Sequence, residues 1–242
     1  MMPLLPFGLR HLFPVTKQHR EICAYQPQFH EVLRKVRAGL PAGVVDELAV
    51  PSYTHKNWLM RYLFHERLAV ALEWMDSLAT PPSVVMDFGC GVCLLFPALR
   101  RRAVRLMGCD IHPEVASAAL RFFGIRDVEI LDAREGLGTL TAASVDVILA
   151  LDVLEHVDDV KSLAGEFRRV LQPHGRLLCS LPTENAFYQV GRRLAGFSGA
   201  YHVRQPRDVV RDLGTCLSLR QVGRLYPFLP LFEFFEGYVQ PC

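Results

Sequence analysis

From Ser83 onward, short β-branched runs alternate with helical ones, and this rhythm leaves few folds open. Val84–Phe88 reads as a buried strand, followed by a glycine turn and an apolar helix. Val104–Cys109 reads as a second strand ending at Asp110, and Val115, Ala118, Ala119, Phe122 and Phe123 mark the next helical stripe. Val128–Leu131 and Val145–Leu151 make strands three and four. Val160, Leu163, Ala164, Phe167, Val170 and Leu171 give the clearest amphipathic helix; Gln172-Pro-His-Gly175 stops it, and Arg176–Leu181 is a fifth strand. Strands linked by helices at this spacing run parallel with right-handed crossovers, which predicts an open, doubly wound α/β sheet, Rossmann-like in its winding. After a helix near Pro206–Leu213, the runs Leu217–Leu225 and Leu231–Val239 are joined by Tyr-Pro-Phe-Leu-Pro. That link is too short for a helical crossover and predicts a closing antiparallel hairpin, for seven strands in all.

Ahead of this core the pattern differs. Residues 1–50 are rich in proline and turn signals, with one short helix expected around Phe29–Ala38. A longer helix follows Pro51-Ser52-Tyr53, where Leu59, Leu63, Val70, Trp74 and Leu78 recur at helical spacing on one face until Ala79-Thr-Pro-Pro-Ser83. We therefore expect an N-terminal arm and helical cap over 1–82 and a ligand-binding core over 83–242. Tyr53, His55, Lys56, Asn57 and Trp58 open the long helix as a polar-aromatic cluster, a substrate contact or simply a surface helix start.

Open α/β sheets bind ligands beyond the carboxyl ends of their strands, where strand order reverses. The first strand ends Asp87-Phe-Gly89-Cys-Gly91; glycine permits the sharp turn and lets a ligand pass close to the backbone. The helix after it offers free N–H groups and a positive dipole end. The second strand ends in Asp110, nineteen residues past Gly91, where a carboxylate can accept both ribose hydroxyls. A dinucleotide fingerprint needs a third glycine where Leu94 stands, and Asp87 before the turn suits an ammonium group better than a pyrophosphate.

The segments VVMDFGCGVC, RLMGCDIHP, VEILDA and VDVILALDVLEHV, with the placement of LQPHGRLLCSLP, resemble class I S-adenosylmethionine (SAM) dependent methyltransferases. The style is that of the small-molecule group that includes ubiquinone-pathway O-methyltransferases. The resemblance implies that Asp87, Gly89 and Gly91 face the aminocarboxypropyl end of SAM. It implies Asp110 on the ribose, Ile111 against adenine, Asp132 at the adenine amino group with Ala133 beside it, and Leu151 on the floor near the methyl. The family usually has D-x-G-x-G-x-G; here the last of those glycines is Cys93.

After strand four comes Asp152-Val-Leu-Glu155-His156. In a helical turn, residues 152, 155 and 156 share one face and could ligate a divalent cation. The pattern is similar to the E-x-x-E-H of metal-assisted O-methyltransferases, with aspartate for the first glutamate; many relatives carry Glu-His there without metal. His156, and His202 in Tyr201-His-Val-Arg-Gln-Pro206, are candidate bases or substrate contacts. Methyl transfer to a hydroxyl needs alignment and removal of a proton. Strand four does not end in the Asn/Asp-Pro-Pro-aromatic of enzymes that methylate exocyclic amines of bases, which argues against nucleobase amino methylation. The resemblance implies transfer to a small molecule, expected at oxygen rather than at nitrogen or carbon. RNA 2′-O-methylation and a non-catalytic partner subunit are the alternatives, the first resting on Asp-x-x-Glu-His and the second on Cys93 and the N-terminal region.

Composition narrows partners. A net charge of +2 with no long basic run argues against nucleic acid. The longest uncharged run, from Phe88 to Leu99, is about 12 residues, short of the roughly 18 a spanning helix needs. The apolar, basic start of the chain has no acid before Glu21 and reads as an arm rather than a secretion signal, leaving peripheral membrane association open. Seven scattered cysteines read as free thiols of a cytoplasmic protein. Cys90, Cys93, Cys109 and His112 also have zinc-like spacing, but each has another place in the nucleoside site. Tyr226-Pro-Phe-Leu-Pro-Leu-Phe232 reads as core, or as part of an apolar entrance for the acceptor.

Overall fold

A computed structural model describes residues 16–38, 53, 56, 58–183, 204–225 and 231–239. The chain divides into two compact units, one spanning Val15–Gly136 and the other continuing from Leu137.

In the first unit, Thr16 starts α1 (Lys17–Ala24): its hydroxyl accepts from the His19 N–H at 3.0 Å. This helix was not expected from sequence. Tyr25 separates it from α2 (Gln26–Arg37), where Pro27 takes the first turn and costs no hydrogen bond. The long helix, α3 (Trp58–Asp76), lacks the single apolar face that the leucine spacing suggested. Residues 65–72 are buried in succession, His65, Glu66 and Arg67 among them. A helix buried on every side must match its polar groups internally. Glu66 accepts from His19, Arg67 donates to the Tyr53 hydroxyl, and His65 Nδ1 lies 2.6 Å from the Arg61 carbonyl.

Three parallel strands follow. β1 (Val84–Phe88) pairs with β2 (Arg105–Asp110), and β2 pairs with β3 (Glu129–Asp132). The helix expected after the glycine turn is only α4 (Phe96–Leu99), four residues long. α5 (Pro113–Phe123) starts on proline and ends at Gly124, whose φ of 67° is the left-handed cap glycine favours. Its buried residues include Val115, Ala119 and Phe123 of the expected stripe, whereas Phe122 is exposed.

In the second unit, β4 (Val145–Leu151) runs parallel to β5 (Leu171–Pro182). α6 (Val160–Val170) lies between them in sequence, and the Asp159 carboxylate caps it through the Ser162 N–H at 2.9 Å. β5 begins five residues before the expected Arg176. Val145 pairs with Leu171 and Val147 with Arg176, so Gln172–Gly175 bulges out of the ladder. After α7 (Pro206–Leu213), β6 (Ser218–Leu225) and β7 (Phe232–Tyr238) form the antiparallel hairpin, with β7 antiparallel to β5. The seven-stranded order is β3-β2-β1-β4-β5-β7-β6. This is the mostly parallel α/β, Rossmann-like architecture expected, with helices ahead of it. No described helix is long and apolar enough to cross a membrane.

Candidate active site

The glycine turn is built by backbone geometry. Gly89 and Gly91 have φ of 77° and 51°, a region that penalises a Cβ. The N–H groups of Gly89 and Cys90 donate to the Cys109 carbonyl at 2.7 and 3.3 Å, and the Cys93 N–H donates to the Cys90 carbonyl at 2.8 Å. Asp110 ties the turn to the next strand end. Its Oδ2 accepts from the Gly91 N–H at 2.8 Å and its Oδ1 from the His112 N–H at 2.9 Å. Each carboxylate oxygen has a second lone pair, so a ribose diol could still bind.

Asp87, at the penultimate position of β1, is buried. Burial, reinforced by the Asp110 charge and partly offset by Arg67, raises its pKa from 3.8 to about 7. A carboxyl so disfavoured as an anion gains much from an arriving cation, which fits the ammonium of an amino-acid moiety. Arg67, on α3, was not anticipated as part of this electrostatic setting; the leucine spacing gave no signal for it.

Cys93 adopts φ of 56°. The backbone there needs the left-handed conformation that the usual glycine provides, and cysteine occupies it under strain. Its thiol is fully buried, 3.7 Å from the Ala116 carbonyl. The anion-binding helix start drawn from sequence is absent from the turn itself: α4 begins five residues past Gly91 and has four residues.

At the rim, Ile111 is 47% exposed, an unusual setting for isoleucine and a suitable apolar surface for a base. The Ala133 N–H donates to the Asp110 carbonyl at 3.0 Å. Asp132 Oδ1 accepts from both the backbone and Nε of Arg134 at 2.9 Å, which lowers its pKa. Arg134 also donates to the Ile111 carbonyl, clipping together the loops after β2 and β3. Sequence reasoning missed Arg134; its signal was an arginine two residues past a strand-ending aspartate.

In the second unit, Leu151 ends β4 and is buried. Asp152 has φ of 50°; its Oδ1 accepts from the buried Ser180 hydroxyl at 2.5 Å, and its N–H donates to the Ser180 carbonyl at 3.1 Å. The helical turn starts only at Leu154 and is a short 3₁₀ turn, Leu154–His156. The shared face expected for residues 152, 155 and 156 therefore does not form. Glu155 is buried, whereas the His156 side chain is 43% exposed, with Nε2 and Oε1 4.0 Å apart. Among the described residues no three or more His, Cys, Asp or Glu side chains gather to hold a metal ion. Cys90, Cys93, Cys109 and His112 do not gather into such a group either. Ser180 was legible only as one polar residue in an apolar strand. His202, with His55 and Asn57, lies outside the described residues. Tyr53 is buried and Trp58 is 62% exposed.

Comparison with known proteins matches residues 86–179 to the family described as methyltransferase domain. The chain is 32% identical over 126 residues to a ubiquinone biosynthesis O-methyltransferase of Hahella chejuensis, covering 50% of this chain and 52% of that protein. It is 29% identical over 140 residues to the protein of that name in Paracidovorax citrulli, covering 54% and 59%. The chain thus spans little more than half the length of these relatives. Among solved structures it resembles N-methyltransferase NodS of Bradyrhizobium japonicum WM9 with S-adenosyl-L-homocysteine, at TM-score 0.57, 19% identity, and coverage of 82% of this chain and 97% of that one. It also resembles magnesium protoporphyrin IX methyltransferase of Synechocystis PCC 6803, at TM-score 0.55, 18% identity, and coverage of 93% and 100%. At these identities the structural likeness speaks for the fold.

Proposed function

We propose that this chain, whose residues 86–179 match the methyltransferase domain family, is a class I SAM-dependent methyltransferase that transfers a methyl group from SAM to an oxygen of a small molecule. The observation that carries the reading is the buried Asp87 carboxyl beside a left-handed glycine turn that Asp110 anchors. Asp87 takes the amino group of the cofactor, Gly89 and Gly91 admit its chain, and Asp110 takes the ribose. Ile111 covers the adenine, while Asp132 and Ala133 meet its edge. When bound, SAM supplies a methyl group on a positively charged sulfur. Leu151 shapes the apolar floor beside it, where exclusion of water favours alignment of the nucleophile.

The acceptor is a hydroxyl-bearing small molecule, a class supported by the O-methyltransferase names of the sequence relatives. His156, partly exposed, is the described candidate to receive the hydroxyl proton, and His202 is a second. Residues 1–82 act as the cap that selects the acceptor, and 83–242 as the catalytic core. The six described cysteines are free, which fits a reducing compartment such as the cytoplasm.

Transfer without a divalent cation is the reading favoured by the short 3₁₀ turn, which begins only at Leu154 and leaves Glu155 buried while His156 is partly exposed, so that the three candidate ligands do not share one face. Activity should persist in excess chelator; loss on chelation with recovery on adding magnesium, manganese or zinc would reverse this point. Incubation with methyl-labelled SAM and a panel of phenols, catechols and carboxylates tests the reaction itself. Label in an ether or ester supports it, whereas label only in amines would move the reading to nitrogen.

A further inference from the structure

β2 and β3 end alike, each on an aspartate that turns the chain. Asp110 Oδ1 accepts from the His112 N–H at 2.9 Å, and Asp132 Oδ1 accepts from the Arg134 N–H at 2.9 Å. In both, a carboxylate holds the backbone amide two residues on, the Asx turn that suits a strand end. Their other contacts differ. Asp110 commits Oδ2 to the Gly91 N–H at 2.8 Å, inside the glycine turn. Asp132 takes its second bond on Oδ1 again, from Arg134 Nε at 2.9 Å. Two donors on one oxygen fix the carboxylate and leave Oδ2 as the acceptor for a further donor.

The guanidinium also reaches the neighbouring loop. Asp110 and Asp132 are the last paired residues of the β2–β3 ladder, and just beyond them the Ala133 N–H donates to the Asp110 carbonyl at 3.0 Å. Arg134 Nη2 then donates to the Ile111 carbonyl. A side chain thus supplies the next rung past the strand ends. The turn behind it is closed by the Glu135 N–H on the Asp132 carbonyl at 3.1 Å and the Gly136 N–H on the Ala133 carbonyl at 3.2 Å. Ile111 and Asp132 are therefore held in one fixed relation, an exposed apolar side chain beside a fixed acceptor. Arg134 itself is largely exposed, and an ion pair in such a place contributes little to folding.

We propose that Arg134 is a positioning residue that sets nucleobase choice, holding Asp132 and Ile111 so that the site prefers a 6-aminopurine to a 6-oxopurine. The inference rests on the methyltransferase reading, in which these two residues meet adenine. The 6-amino group donates to Asp132 Oδ2 while the ring lies on Ile111. A 6-oxopurine brings a carbonyl to that place and carries its proton on the adjacent ring nitrogen. A carboxylate clamped by Arg134 cannot turn to meet that proton, whereas one released from the clamp can. Loss of Arg134 therefore narrows the preference as well as weakening the 6-amino ligand.

S-adenosylhomocysteine and its 6-oxo analogue, S-inosylhomocysteine, are titrated calorimetrically into the full chain, Arg134→Ala and Arg134→Lys. The wild-type chain should bind the adenine ligand at least about tenfold more tightly, the worth of a hydrogen bond to a charged group. Arg134→Ala should cut that preference to about threefold or less, chiefly by weakening the adenine ligand, with the unliganded melting temperature unchanged. Arg134→Lys keeps the charge but cannot bridge Asp132 and the Ile111 carbonyl with one ammonium, and should behave like the alanine variant. No preference in the wild-type chain, a preference kept in either variant, or an equal loss for both ligands would overturn this inference and leave the methyltransferase reading standing. No binding of S-adenosylhomocysteine by the wild-type chain would instead overturn that reading, and this inference with it.

Discussion

Asp87 and Cys93 carry opposite kinds of cost at the same turn. Asp87 is a buried carboxyl whose raised pKa means that its anion is disfavoured in the fold. Its contribution to stability is full below about pH 4 and is lost as pH rises through about 7. Asp87→Asn should therefore raise the melting temperature at pH 8 in thermal scans without ligand. The same variant should weaken S-adenosylhomocysteine by about 10–100-fold, the worth of one charge-assisted hydrogen bond. At Cys93 the cost lies in the backbone, since φ is 56°. Cys93→Ala and Cys93→Gly both remove the buried sulfur, but only glycine relieves the left-handed strain. The glycine variant should be about 1 kcal/mol more stable than the alanine variant in urea unfolding, the reverse of the usual order. Asp87, Asp110 and the two glycines were legible as a pattern because each is a local consequence of a strand ending. Arg67 and Arg134 were not, because their roles depend on which loops and helices lie beside them.

Elements were read well where one period dominates. α6 begins on an aspartate cap and follows its predicted stripe, and β1, β4 and the closing hairpin stand within a residue or so of expectation. The departures have physical causes. The middle of α3, residues 65–72, is buried on every side, so leucine spacing alone could not reveal polar groups paired by tertiary contacts. α1 rests on one threonine cap within a proline-rich region. The Asp152–His156 stretch was read as helical, but a left-handed aspartate delays the turn and separates the three side chains. β2 offers a test at this scale. A Cβ added to Gly108 would come within 2.6 Å of the Ile130 Cδ1 and 2.9 Å of the Cys90 Sγ. Gly108→Ala should destabilise by about 1–3 kcal/mol in denaturant unfolding, and weaken cofactor binding by displacing Cys90 from the glycine turn.

At the scale of the whole molecule, seven strands, parallel crossovers and a closing hairpin were accessible from rhythm, whereas the strand order and acceptor choice were not. On the proposed function, acceptor recognition falls to loops and a cap, and such segments follow no period in the sequence. The buried titratable groups set a common pH trend. His19 contributes stability that is full below about pH 6.5 and lost as pH rises through about 9. Asp87 runs in the same direction over a lower range, so the unliganded melting temperature should fall from pH 6 to pH 9. Cofactor binding should run the other way through neutrality, because the ammonium needs the Asp87 anion and binding releases its proton. Calorimetric titration of the full chain with S-adenosylhomocysteine from pH 6 to pH 8, in buffers of different ionisation enthalpy, measures affinity and proton release together. The account predicts one ligand per chain, affinity that rises towards pH 8, and proton release near neutrality that Asp87→Asn abolishes. No binding heat with millimolar ligand in any buffer, or binding indifferent to both pH and Asp87→Asn, would contradict it.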